Sequence, residues 1–239
     1  MAAVETYGSA GGNPAVSSGI GIGGSCTAGT YSAWVEAEGG LAIGSDCSAQ
    51  AMAMQQNAIS IGNGTYSGEN AVALGRFANA AQANSVAIGN QSQALEINSV
   101  AIGNAALATQ DETVAIGSQA QATGWGAFAM GRNAKADGFQ SVAIGNQAHV
   151  VDDGVLHSGN YGVAIGDSAK TQSNGIAIGS NAGEFNDVID PNTNAVIKAY
   201  VTTNQIAIGS AAGRYQQGDE NISLGNTADA FLTNNRNFQ

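Results

Sequence analysis

Thirteen copies of one four-residue phrase, apolar–small–apolar–Gly, run through this chain and leave few folds open to it. The phrase reads VALG ending at Gly75, VAIG at Gly89, Gly103 and Gly117, FAMG at Gly131 and VAIG at Gly145, each 14 residues after the last. It returns at Gly166, Gly179, Gly209 and Gly225. Upstream it occurs at Gly62, at Gly44 and, as a degenerate IGIG, at Gly23. Three residues after glycine stands a small residue (Ala78, Ser92, Ala106, Ala120, Ala134, Ala148). Five after it, the central copies place Ala again (Ala80, Ala94, Ala108, Ala122, Ala136). Self-similarity at a fixed period marks a stacked repeat.

Fourteen is two heptads, so a coiled coil is the first alternative. It fails: Val86 and Ile88 lie two apart, not three or four, and charges are scarce. A glycine in each pair of heptads would also cost about 1 kcal/mol against alanine. A spacing of two is strand alternation. Val-Ala-Ile is a short strand, Gly with the following Asn or Ser (Asn90, Asn104, Ser118, Asn146) a turn, and Ala-x-Ala a second short strand. Two strands and two turns in 14 residues make one coil of a parallel β-solenoid, and the copies predict about thirteen coils.

Composition supports a thin fold. Gly is 34 of 239 residues and aromatics only 6%, yet 44% of the chain is hydrophobic, too much for a solvated coil. Seven Lys and Arg against 18 Asp and Glu give a net charge of −11, which disfavours nucleic acid as a partner. No apolar run reaches the roughly 18 residues of a membrane span. The first residues, MAAVE, lack the basic and apolar regions of a signal peptide.

The expected packing puts the large residues inside each coil: Val72, Leu74, Val86, Ile88, Val100, Ile102, Val114, Ile116, Phe128, Met130, Val142, Ile144, Val163 and Ile165, facing the Ala-x-Ala strand. The middle residues Ala73, Ala87, Ala101, Ala115, Ala129, Ala143, Ala164, Ala177 and Ala207 then form an outward apolar stripe, fitted to close self-association. The reverse orientation, with Val and Ile toward a partner and Ala inside, obeys the same alternation.

The repeat S-V-A-I-G-N-x-A-x-A resembles the YadA-like head of trimeric autotransporter adhesins, over about residues 19–228. The resemblance implies a left-handed parallel β-roll in which three chains associate side by side. It also implies a non-enzymatic head, without cofactor or metal, at the tip of an outer-membrane-anchored surface fibre. Such heads bind host extracellular-matrix proteins such as collagen, or other surfaces, and this segment itself would make no membrane contact. The chain divides accordingly into an irregular lead-in (1–18), the head (19–228) and a tail toward a neck or stalk (229–239). A structural spacer or phage-fibre-like trimer without its own ligand is the alternative. A hexapeptide-repeat acyltransferase does not fit a period of fourteen, and no Thr ladder suggests ice binding.

Insertions lengthen the coils at 148–162 and 181–205. In the second, Asp187-Val188-Ile189 and Ala195-Val196-Ile197 flank a Pro191 turn and predict a β-hairpin. His157, Tyr161, Asp190, Asn192 and Tyr200 are candidates for a specificity loop, with packing against a neighbouring chain the plainer role. His149 and His157 with Asp152 and Asp153 lack the fixed spacing of a metal site. Cys26 and Cys47 each follow a motif glycine by three; matching coil positions suggest a disulfide, with buried free thiols the alternative. Trp34, Trp125, Tyr66, Tyr161, Tyr200 and Tyr215 fall outside the core positions, and singly each is an ordinary surface aromatic.

Overall fold

The computed structural model describes residues 4–7, 19–23, 32–44, 48–152, 161–172, 174–183, 188–189, 196–197, 205–213 and 222–228. They fall into two compact units, Met1–Gln119 and Ala120–Gln239. Each unit is an all-β parallel solenoid with a repeat of about 14 residues, as the phrase predicts.

In the first unit the three-residue motif strands stack in the order Gly19–Ile22, Leu41–Ile43, Ile59–Ile61, Val72–Leu74, Val86–Ile88, Val100–Ile102 and Val114–Ile116. The shorter strands form their own ladder: Ala33–Val35, Ala51–Ala53, Tyr66–Ser67, Asn79–Ala80, Gln93–Ala94 and Leu107–Ala108. In the second unit the motif strands run from Phe128–Met130 through Val142–Ile144, Val163–Ile165, Ile176–Ile178 and Ile206–Ile208 to Ile222–Leu224. Its short strands are Gln121–Ala122, Lys135–Ala136, His149–Val150 and Lys170–Thr171. The constant period fixes the register, so like stacks on like: Val86 pairs with Val72 and Val100, Ala87 with Ala73 and Ala101.

Two expectations need adjustment and a third holds. Residues 4–7 are not irregular: Val4–Tyr7 pairs antiparallel with Gly19–Ile22, covering a strand edge that would otherwise stay unpaired. The described turns number about 11, not thirteen, because a turn needs both strands and the last copies show only the first. The hairpin is present, with Val188–Ile189 antiparallel to Val196–Ile197.

Each coil closes through two tight turns. The first begins at the motif glycine; from Gly62 to Gly225 these glycines have φ between 120° and 136°, whereas Gly44 has no positive φ. The left-handed residue is not the Asn or Ser that follows but the one after it: Phe77, Gln91, Ala105, Gln119, Asn133 and Gln147, with φ of 52–59°. The Asn positions instead build side-chain ladders, such as Asn104 Nδ2 donating to Asn90 Oδ1 at 3.4 Å. Phe77, bulky for such a backbone, lies over Gly64 of the coil before, with the Arg76 guanidinium 4.3 Å from its ring.

The core reverses the expected packing. Ala73, Ala87, Ala101, Ala115, Ala129, Ala143, Ala164, Ala177 and Ala207 are buried at 0–1% exposure. The interior also holds Ala80, Ala94 and Ala108 of the facing strands, Ala78 and Ala106 just before those strands, and Ser85, Ser99, Thr113 and Ser141. Val72, Val86, Ile88, Val100, Ile102, Val114, Ile116, Phe128, Val142, Ile144, Val163 and Ile165 are half-buried on the outer face, and Leu74 and Met130 are exposed there. The physical reason is thickness. A 14-residue coil with two tight turns brings its sheets too close for two layers of branched side chains.

The exceptions demonstrate this. Where the inner position holds buried Val150, the facing position is Gly162, whose Cβ would collide with Val150 Cγ1. Thr171 faces Gly175, and Val35 faces both Gly19 and Gly40 in the same manner. Inner hydroxyls are satisfied within the turn: Ser85 donates to Gln82 O at 2.6 Å and Thr113 to Gln110 O at 2.7 Å. Ser60, in place of the middle Ala, donates to Thr65 Oγ1, which donates to Gly62 O. Gln205, before its motif strand as Ser85 and Thr113 are before theirs, donates from Nε2 to Gly213 O at 3.1 Å.

Candidate functional surfaces

The motif strands present two apolar rows outward. In the first unit these are Val72, Val86, Val100 and Val114 beside Leu74, Ile88, Ile102 and Ile116, in strict register. In the second, Phe128, Val142, Val163, Ile176 and Ile206 run beside Met130, Ile144, Ile165, Ile178 and Ile208. Leu74, Met130, Ile178, Ile208 and Leu224 are between 36% and 54% exposed, as large apolar side chains seldom are in a row. A continuous apolar stripe of this kind marks an interaction face.

The opposite sheet presents a different chemistry. In the second unit its outer row reads Gln121, Lys135, His149, Lys170, with Lys135 paired to His149 and His149 to Lys170 on successive rungs. Two residues further along, Asp137 accepts from Thr123 Oγ1 at 2.7 Å and lies 2.8 Å from His149 Nε2. Burial alone would raise the Asp137 carboxyl. The hydrogen bonds of His149 and Thr123, with the charges of His149 and Lys135, outweigh it and hold the group below its ordinary value. In the adjoining turn Trp125 stacks on Phe139 (centroids 5.0 Å apart, planes at 15°), and Phe139 meets Tyr161 edge-on at 5.8 Å. Trp125 is 37% and Tyr161 57% exposed. Two of the six surface aromatics, Trp125 and Tyr161, thus join through Phe139 in one set.

Of the anticipated specificity-loop residues, Tyr161 is placed in this aromatic set. His157, Asp190, Asn192 and Tyr200 lie outside the described residues, as do Cys26 and Cys47 and therefore the disulfide. Among the described residues no group of three or more His, Cys, Asp or Glu is placed to hold a metal ion, and no helix is long and apolar enough to cross a membrane. Sequence reasoning passed over Lys135, Lys170, Asp137 and Phe139. A signal existed: Lys135, His149 and Lys170 each stand four residues after a motif glycine, so the period predicts their alignment.

The family model for the YadA head domain repeat (2 copies) matches residues 67–92, 94–120, 108–134 and 122–148. These segments carry the regular 14-residue run, and there the motif strands stack in register with inward alanines. Here the chain matches YadA head repeats. No curated protein matches the chain. The YadA-type repeat accounts for the Ala-filled interior and the outward Val and Ile rows together. It belongs to a family of trimeric autotransporter adhesin modules whose members are typically non-catalytic.

Proposed function

We propose that this chain is the non-enzymatic head of a bacterial surface adhesin, acting as a homotrimer on a fibre anchored in the outer membrane. The observation that carries the reading is the double row of outward Val and Ile residues on YadA-type repeats. Three such faces closing on one another would remove from water what a lone chain leaves wet, and apolar burial at roughly 25 cal/mol per Å² favours that association. Self-association belongs to the Val and Ile rows and not to the alanine stripe, since the alanines are enclosed. The ligand would be a host extracellular-matrix protein such as collagen, or another repetitive surface. Identical rungs on three chains would convert weak contacts into avidity. The test is adsorption of the purified chain to collagen, fibronectin, laminin and bare plastic, with its solution mass measured alongside. Saturable binding by a particle of three times the 23.8 kDa chain mass is expected. A trimer that adheres to none of these would be a spacer, and a stable monomer would refute the assembly.

A further inference from the structure

The outer face of the short-strand ladder in the second unit concentrates positive charge in an acidic chain. Arg76, Arg132, Lys135 and Lys170 are the Lys and Arg residues among the described ones. Two of these four, with His149 between them, occupy one row on consecutive rungs. Asp137, the neighbouring carboxylate, is engaged by Thr123 and His149. Among the described residues no carboxylate lies within ion-pair distance of Lys135 or Lys170. The adjoining turn carries the aromatic set, in which Trp125 and Tyr161 are exposed. The first unit differs: its equivalent row reads Trp34, Met52, Tyr66, Asn79, Gln93 and Leu107, without a cation.

We infer that this face, with Lys135, His149 and Lys170 beside Trp125, Phe139 and Tyr161, is a binding track for an acidic polysaccharide bearing uronate carboxylates. Rungs repeat at about 4.8 Å, so Lys135 and Lys170 stand roughly 10 Å apart along the ladder. That interval suits a linear glycan with one carboxylate per disaccharide, each meeting one lysine. The hydrophobic faces of the sugar rings meet the aromatic set. A nucleic acid carries a phosphate on every unit, and a chain of net charge −11 opposes so dense a polyanion. The inference deepens the surface-binding reading and rests on it for exposure: this sheet faces away from the Val and Ile rows, so it stays open when those are covered.

The experiment is titration of the full chain with hyaluronan oligosaccharides, against uncharged dextran oligosaccharides and a single-stranded DNA of similar length. Melting curves of each variant confirm folding. Saturable, salt-sensitive binding to hyaluronan alone is expected. K135Q/K170Q should weaken it roughly tenfold or more, the scale of losing two partly exposed charge contacts. D137N, which adds one net positive charge to the face, should tighten it. A purely structural role for these residues would move no affinity in opposite directions. Binding no better than dextran, a preference for DNA, or hyaluronan affinity unchanged in folded K135Q/K170Q would overturn the assignment. Retained adsorption to collagen or another matrix protein, with no glycan binding, would sink this inference alone; loss of both would sink the adhesion reading as well.

Discussion

Gly75 shows what one residue contributes to this fold. Its φ of 127° belongs to glycine, and a Cβ there would stand 2.6 Å from the carbonyl oxygen of Gly89 in the next coil. Both the turn and the stacking would suffer. Gly75→Ala is expected to cost about 3 kcal/mol or more, combining backbone strain with a steric clash that repeats against rigid backbone. Thermal or urea unfolding would measure it, and a loss under about 1 kcal/mol would contradict the geometry. Asp137 gives a pH-dependent counterpart. Its folded pKa lies below the ordinary value of 3.8, so its stabilisation is present above that value and disappears as pH falls through the depressed one. With the side chain 28% exposed, the contribution is about 1 kcal/mol or less. Asp137→Asn should therefore flatten the acid limb of the stability curve below pH 3.8 by that amount; an unchanged acid limb would exclude the role.

At the scale of the coil, interior volume is conserved across facing strands. Val150 opposite Gly162 replaces the pairing of two small residues found in regular coils. Val150→Ala should cost about 1–2 kcal/mol for the space it opens, and Gly162→Ala about 1–3 kcal/mol for the space it invades. The double variant restores a near-regular coil, so its cost should fall short of the sum by about 1 kcal/mol or more. A double-mutant cycle by chemical denaturation checks this, and simple additivity would show that the two residues do not share one volume.

For the whole molecule, the decisive property is which face of the motif strand is left outward. Because small residues fill the interior, each chain carries its larger apolar side chains on a surface. Val100→Asp with Ile102→Asp should convert the proposed trimer to monomer while leaving the interior untouched, as read by sedimentation or light scattering. Ala101→Val, one residue between them, should instead destabilise the coil by about 1–3 kcal/mol through overpacking, in monomer and trimer alike. If the paired aspartates left the mass unchanged, association would have to be sought on another face.

The period of fourteen was enough to determine two short strands and two turns per coil and their parallel stacking. Each of these follows from spacing along the chain, which alternation and glycine convert directly into geometry. Orientation was different. Ser-Val-Ala-Ile obeys period two whichever face is inside, so Ala101 and Val100 were interchangeable on pattern alone. The separation of the two sheets decided between them, and that separation arises only when both turns close. The same closure aligned Lys135 with Lys170 across the seven extra residues between Gly145 and Gly166, and brought Trp125, Phe139 and Tyr161 into one set. An insertion breaks the period in the sequence without breaking the hydrogen-bonded ladder: the phase to the motif glycine still aligns the lysines, while the meeting of Phe139 with Tyr161 is visible only in three dimensions.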